Sequence, residues 1–503
     1  MFAYHPIYYT YSTYSNFLRY FYNNISLDNK VKWPVPKNEA FLIHNAKLVD
    51  VFNGKLFPET AILIKGARIV KRFSEENLKS LKTNWKFDAK QRYIIPGLIN
   101  GHCHITGPGV VSFHYSMAME FDRQIDKNCV DCITHGVTTI RDMLGFQPAI
   151  IKRQNLIDKG KLIGPRIFRS IAIQIPNSCW SFLSGGHFGH FMLKAKNTFE
   201  IEDSVSKAVD IGADCIKLFY QPKSLFQSEK EYSLMTEDMI STAVDKAINL
   251  RTKVSIHVVS LDGFRKAIRA GVPLIEHMPV DEKLTEKDIR LFNDNGHIVT
   301  PTSSVPYALA YPLSSDENCN HPNLQKIYED RFERMPEIVQ EYANPQVAKM
   351  AMKLFNTYSK PDYFEKKHMI HTPSARFFNS GGSIGSDNLK SMYGASSEMG
   401  CGNDGGIPFV WPASLPLEMR LLQEQNIKPA DILRFATYNN SKVIGMENAL
   451  GTLSPKKLAD MVILDKNPLD DITNINEIAG VFKNGQLLHN KSLGFFEFGS
   501  EQK

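Results

Sequence analysis

Two histidines two residues apart, His102 and His104, close an apolar run that begins at Tyr93: Tyr-Ile-Ile-Pro-Gly-Leu-Ile-Asn-Gly-His-Cys-His. Residues i and i+2 of a strand share a face, so the two imidazoles project together while Cys103 turns away. Neutral imidazole is a common ligand for zinc and similar metals, and such a pair can hold one divalent ion. Histidines also pair in protein cores by chance. Here the pair runs into Ile105-Thr-Gly-Pro-Gly, a loop, and catalytic groups concentrate at such places.

The elements that must position this pair are strands alternating with helices. Strand-like runs occupy 93–97, 136–142, 165–172, 213–219, 253–258, 273–278, 297–302 and 397–404, with amphipathic helical patterns between most of them. One such pattern, Leu261-Asp-Gly-Phe-Arg-Lys-Ala-Ile-Arg-Ala, is followed by a capping Gly271. Eight strand–helix units predict a (β/α)8 TIM barrel, an α/β fold with its active site at the C-terminal strand ends. A doubly wound open sheet is the competing arrangement, and strand count alone does not separate the two. The polar residues ending these runs are His102, His104, Lys217, His257, His277 and Asp404. Singly each has an ordinary reading, as a satisfied core histidine or a lysine reaching solvent. Together they suit a cluster of two divalent ions, except that lysine is no ligand while it is an ammonium.

Short alternating runs at 40–52 and 61–70 return near the C-terminus at 459–465 and 480–488, with Asn53-Gly54, Lys65-Gly66 and Asn484-Gly485 as turn signals. They predict a small β-sandwich domain assembled from both termini. The expected organisation is a Tyr-rich extension over 1–39, sandwich over 40–92, barrel over 93–446 and the remaining sandwich with a tail over 447–503. A helix-rich insertion over about 303–396 lies at the barrel mouth, where Pro306, Tyr307, Tyr311 and Pro312 suit a lid.

The chain has 503 residues, 43% hydrophobic and 22% charged, in the range of a soluble globular protein. Its formal charge of +6 is spread along the sequence, whereas nucleic-acid binding calls for a basic patch or stripe. No apolar run reaches the eighteen or so residues that a membrane-spanning helix needs. The first 25 residues hold Tyr4, Tyr8, Tyr9, Tyr11, Tyr14, Tyr20 and Tyr22 with Arg19 as the one basic residue, which is not the pattern of a secretory signal. Seven cysteines form no disulfide framework; Cys103, Cys215 and Cys401 fall in strands and Cys129-Val-Asp-Cys132 on a helix, as buried hydrophobes. A cytoplasmic setting is expected. A homo-oligomer is compatible with the sequence, which does not fix the oligomeric state.

Several stretches together carry a family resemblance: Ile95-Pro-Gly-Leu-Ile-Asn-Gly-His-Cys-His, Gly136-Val-Thr-Thr-Ile-Arg-Asp, Gly212-Ala-Asp-Cys-Ile-Lys, Gly402-Asn-Asp-Gly-Gly-Ile-Pro and 451–465. The chain resembles the metal-dependent amidohydrolase superfamily, in the branch of imidazolonepropionase-like proteins and prolidase-like dipeptidases. The resemblance implies a lysine carbamate at Lys217 bridging two divalent ions, zinc foremost, with His102 and His104 on one and His257 and His277 on the other. It implies a similar Gly-Gly-His segment at Ser184-Gly-Gly-His187, making His187 a substrate-binding candidate. Tyr220, just past Lys217, is a candidate hydrogen-bond donor to an oxyanion. Arg141 and Asp142 read as an internal ion pair.

Gly385-Ser-Asp387 and Gly402-Asn-Asp404 both resemble the family's Gly-Thr-Asp. Asp404 is preferred, because Glu418 follows after fourteen residues at the opening of a helix, whereas Asp387 sits where a helix starts. A metal-activated hydroxide would then attack a small-molecule amide, with Asp404 as general base and then general acid. The amide could belong to a dipeptide, an N-acyl amino acid or a cyclic amide. Lactone or phosphoester hydrolysis on the same site is the alternative chemistry, and a non-catalytic scaffold the alternative class.

Overall fold

The computed structural model describes residues 39–80, 85–109, 118–179, 192–223, 231–309, 334–358 and 372–491, with Trp33, Val35, Pro36, Thr83 and Leu493 besides. Strands β1 (Ala40–His44), β2 (Lys47–Asp50), β3 (Lys55–Leu56), β4 (Ala61–Lys65), β5 (Arg68–Phe73), β6 (Trp85–Asp88) and β7 (Tyr93–Pro96) come first. The central sheet contains β8 (Leu98–Cys103), β9 (Val137–Asp142), β10 (Arg166–Gln174), β11 (Met192–Lys194), β12 (Cys215–Tyr220), β13 (Lys253–Val258), β14 (Leu274–Glu276) and β15 (Ile298–Thr300). Three strands follow it: β16 (Met461–Leu464), β17 (Ile478–Lys483) and β18 (Gln486–Asn490).

Seven strands of the central sheet run parallel in the order β8-β9-β10-β12-β13-β14-β15, with the short β11 beside β10. The segment 398–405 supplies the eighth stave. Val299 N–H donates to Glu398 O at 3.1 Å and Gly400 N–H to Val299 O at 2.8 Å on one side. On the other, Gly101 N–H reaches Cys401 O at 2.9 Å and Asp404 N–H reaches His102 O at 2.9 Å. The sheet thereby closes into the expected (β/α)8 barrel.

Its helices start where the side chains can satisfy their unpaired N–H groups. Asn197, Thr236 and Ser260 each accept a bond from the backbone three residues on, and Thr285 with Asp288 makes a reciprocal capping box. The insertion contributes helices Ser304–Leu309, Pro345–Tyr358 and Thr372–Gly394. Pro306 and Tyr307 lie in the first of these, while Tyr311, Pro312 and the Tyr-rich 1–25 lie outside the described residues. Among the described residues no helix is long and apolar enough to cross a membrane.

The remaining strands form a separate domain of two sheets, β5-β4-β1-β6 and β18-β17-β16-β7-β2-β3. Tyr93–Pro96, expected as the first barrel strand, belongs here: β7 pairs antiparallel with β16 and parallel with β2. Pro96-Gly97 turns the chain from one sheet to the next, and the first stave is Leu98–Cys103. Alternation along the six-stranded sheet serves two cores. Leu48, Ile94, Met461 and Ile463 pack with Phe41, Ile62 and Phe87 of the four-stranded sheet. Val49, Ile95, Val462 and Leu464 pack with the barrel's own apolar residues.

Barrel closure has a lock. The helical stretch after the eighth stave contains a π-helical turn, Phe435–Asn439, which delivers Asn440 to the seam between the first and eighth staves. Its Nδ2 donates to Ile99 O at 2.5 Å and Cys401 O at 2.6 Å, and its Oδ1 accepts Cys401 N–H at 3.1 Å. Gly101 and Gly400 make room for it, since a Cβ on either would lie 2.7 or 2.6 Å from that Oδ1. Replacing Asn440 by Ala strands these buried groups and should lower stability by about 1–3 kcal/mol. Chemical unfolding monitored by fluorescence reads this directly, and an unshifted midpoint would show that closure does not depend on the carboxamide.

Candidate metal centre

All six strand-end residues named from the sequence lie on the same barrel. His102 ends β8 and His104 follows it; Lys217 lies within β12, His257 within β13, His277 just past β14, and Asp404 ends the eighth stave. Asp404 Oδ1 stands 3.1 Å from His102 Nε2 and 2.8 Å from His104 Nε2. One ligand atom from each of His102, His277 and Asp404 falls within 4.8 Å of the others. The His277 ring centroid is 4.9 Å from that of His102 and 4.5 Å from that of His257. Lys217 pairs across the ladder with Ser255, two residues before His257. It is buried, and among the described residues its Nζ has no hydrogen-bond partner.

Each imidazole is oriented by an outer partner, which decides the nitrogen left for a metal. His102 Nδ1 faces Glu276 Oε2 at 2.7 Å, and His104 Nδ1 faces the Leu144 carbonyl at 2.8 Å. These oxygens can only accept, so each Nδ1 carries the proton and each Nε2 keeps its lone pair. His257 reverses the pattern, its Nε2 donating to Gln221 Oε1 at 2.9 Å and its Nδ1 left free. His277 Nδ1 lies 2.7 Å from Thr302 Oγ1, leaving Nε2 towards His102. The grouped nitrogens and carboxylate of His102, His277 and Asp404 suit a divalent ion, and the buried Lys217 amine beside them has no partner among the described residues.

A charged layer lies beneath the cluster. Glu276 spans two partners, with Oε1 accepting from Arg141 Nη2 at 2.6 Å while Oε2 faces His102. Arg141 also donates from Nε to Gly101 O at 2.6 Å. Burial opposes the charge on Glu276, but Arg141 above all, then Lys217 and His102, hold its carboxyl well below the usual range. Burial lowers the Lys217 amine to about 8, with Arg141 adding to the effect and Glu276 opposing it. His277 is lowered to about 3 by burial, and His257 falls well below its ordinary value for the same reason. Burial likewise works against the charge on Asp404, yet His102 and His104 keep its carboxyl well below the usual carboxylate range. The neutral imidazoles of His257 and His277 and the ionised Asp404 are in the protonation states that metal binding requires, whereas at His104 burial is outweighed by the Asp404 carboxylate, which raises the imidazole.

Three residues of this cluster and its surround have strained backbone. His277, Thr302 and Asp404 have φ of 73°, 53° and 54°, in the left-handed region that side chains other than glycine rarely occupy. Such residues persist where their surroundings over-determine them, and they cluster at functional sites.

Other expectations need correction. Tyr220 lies three residues beyond Lys217 on β12, so it faces the opposite side. Its hydroxyl bonds to Asp262 and to Lys266 Nζ on the helix Leu261–Arg269, and it does not point into the site. Phe219 and Gln221 are the neighbours that meet His257. Arg141 and Asp142 are not an ion pair, because adjacent strand residues diverge. Arg141 faces Glu276, while Asp142 Oδ2 accepts Ile105 N–H at 2.6 Å and steadies the loop after His104. Asp387 stands within the helix Thr372–Gly394, not at its start, and pairs with Lys283 at 2.8 Å. His187 lies outside the described residues. Glu276, Thr302 and Gln221 escaped the sequence reading. The signal for Glu276 is its place in Leu-Ile-Glu-His, a carboxylate inside an apolar strand beside a histidine.

Several solved structures share this fold. A solved Xaa-Pro dipeptidase with bound methionine in its active site superposes with a TM-score of 0.67 at 21% identity, over 90% of this chain and 100% of that one. The ochratoxinase of Aspergillus niger gives a TM-score of 0.66 at 17% identity, over 93% and 99%. In sequence that ochratoxinase is 21% identical over 293 residues, 52% of this chain and 60% of its own length. The chain therefore spans about 60% of the length of this curated relative in the matched region. At these identities the structural likeness speaks for the fold. The Amidohydrolase family model matches residues 93–488, the whole barrel with β7, β16 and β17, and by that match the chain belongs to the amidohydrolase family.

Proposed function

We propose that this chain hydrolyses an amide bond in a small molecule, at a centre of two divalent ions held by His102, His104, Lys217, His257, His277 and Asp404. The observation that carries the reading is that ligand atoms of His102, His277 and Asp404, from separate staves, lie within 4.8 Å of one another in a barrel whose buried Lys217 amine has no partner among the described residues. The names of the structural neighbours, a Xaa-Pro dipeptidase and an ochratoxinase, support a dipeptide or an N-acyl amino acid as the substrate class. Cys103, Cys129, Cys132, Cys215 and Cys401 are buried thiols outside any disulfide, in keeping with a reducing compartment such as the cytoplasm.

Ions bound there supply Lewis acidity and a nucleophile at neutral pH. The residues do the rest. Lys217, as its carbamate, would join the two halves of the centre, with zinc suited to this nitrogen and oxygen donor set. Asp404, kept ionised and in reach of His102 and His104, accepts a proton from the attacking water and returns it to the leaving nitrogen. Glu276 keeps the Nδ1 proton on His102, so that Nε2 faces the centre. Thr302 does the same for His277.

Three measurements test this. Protein prepared with zinc should carry two equivalents by elemental analysis, and a chelator should abolish hydrolysis of a panel of dipeptides and N-acyl amino acids. Fewer than one equivalent would favour a non-catalytic scaffold, and turnover confined to lactones or phosphoesters would redirect the chemistry. Asp404→Asn should remove activity while Asp387→Asn leaves it intact, and the reverse would overturn the assignment of the base. Glu276→Gln should weaken zinc binding roughly 10–100-fold, as loss of an outer-shell partner typically does. Calorimetric titration showing wild-type affinity would remove Glu276 from the centre.

A further inference from the structure

Glu418 is a buried carboxylate with no cationic partner among the described residues. It lies in the helix Leu415–Glu424, after the eighth stave. Oε1 accepts Ser303 N–H at 2.7 Å, and Oε2 accepts Ser304 N–H at 2.6 Å and Ser304 Oγ–H at 2.7 Å. Burial pushes its carboxyl up to about 7 in spite of these donors. Leaving a charge in such a place is costly, and an apolar residue of similar size would avoid that cost. What the carboxylate achieves is local: it fixes two consecutive amides of the loop that follows β15.

The residue just before those amides is Thr302. It is β-branched and held at φ 53°, where such a side chain is a genuine outlier. Its Oγ1 meets His277 Nδ1 at 2.7 Å, and His277 is itself at φ 73°. A second hold reaches the same loop from the insertion. Ser386 Oγ donates to Gln425 Oε1 at 2.8 Å, and Gln425 Nε2 reaches Ser303 Oγ at 3.4 Å. The helix Thr372–Gly394 is thus tied to the turn that orients a histidine of the centre.

We infer that Glu418 is a positioning residue for His277, acting by clamping Ser303 and Ser304 so that Thr302 stays in its strained turn and holds the imidazole. It touches neither metal nor substrate. The inference rests on the metal-centre reading for its consequence, but the geometric claim stands apart from it.

Crystal structures and zinc titrations of Glu418→Gln, Thr302→Val and the double variant test it. In Glu418→Gln, Thr302 should leave the left-handed region and the His277 contact should break. Zinc affinity at the weaker site should fall roughly 10–100-fold, the range for lost outer-shell partners. Thr302→Val should cost a similar factor, the double variant no more than the worse single one, and Thr302→Ser should restore binding. An intact Thr302–His277 contact in Glu418→Gln, or losses that multiply in the double variant, would overturn the inference. Should the wild-type protein take up no zinc, the reading of the centre fails, and the His277 ring orientation in Glu418→Gln still decides the role of Glu418. If Glu418→Gln does not fold, the contact and affinity in Ser304→Ala, which removes one of the three donors, decide it in the same way.

Discussion

Glu276 serves two partners at once, and the centre is organised around that double engagement. Strands β9 and β14 are the second and sixth staves, on opposite sides of the barrel, so the Arg141–Glu276 pair crosses the interior. Barrel layers of this kind are ordinarily filled by branched apolar side chains. Charges placed there must be nearly saturated with partners, or desolvation outweighs their attraction. Glu276 meets that demand with Arg141 and His102, and Arg141 meets it only in part, through Gly101 O and Glu276, its buried Nη1 having no partner among the described residues. Lys217 is then left as a second cation with one carboxylate already committed. Its amine is lowered to about 8, chiefly by burial.

Backbone conformation does complementary work. In a regular strand Glu276 and His277 would point to opposite faces, one inward and one into the helix layer. The positive φ of His277 ends the strand and turns its ring back over the barrel axis, so consecutive residues both contribute to one site. Asp404 does the same at the end of the eighth stave. Neighbours that contact no ligand position flank these points: Glu418 binds the amides just after Thr302, and Asn440 binds Cys401, three residues before Asp404.

Much of this was legible along the chain because strand-end polar residues stand out against apolar runs. His102, His104, Lys217, His257, His277 and Asp404 all announce themselves in that way, as do the eight units of the barrel. What escaped has specific causes. Glu276 sat in the shadow of His277, and strict alternation assigns the two to different faces. Tyr220 looked favourable for its closeness to Lys217, although three positions along a strand reverses the direction. Arg141 and Asp142 were matched by adjacency where the true partner of Arg141 lies across the barrel, 135 residues away. Tyr93–Pro96 reads like a stave because both of its faces are buried, one against each core. Pairing partners, not hydrophobicity, decide which sheet such a strand joins.

That doubly buried sheet has a consequence for how the molecule is made. β7 emerges from the ribosome ahead of the barrel, yet its antiparallel neighbour β16 is translated more than 350 residues later, as the span from Pro96 to Met461 requires. Until then the barrel's underside has only the N-terminal part of this sheet, Val49 and Ile95, to lie against, and lacks Val462 and Leu464. The barrel can close on its own staves first, but the sheet beneath it is completed only when the C-terminal strands thread back beside a segment made long before.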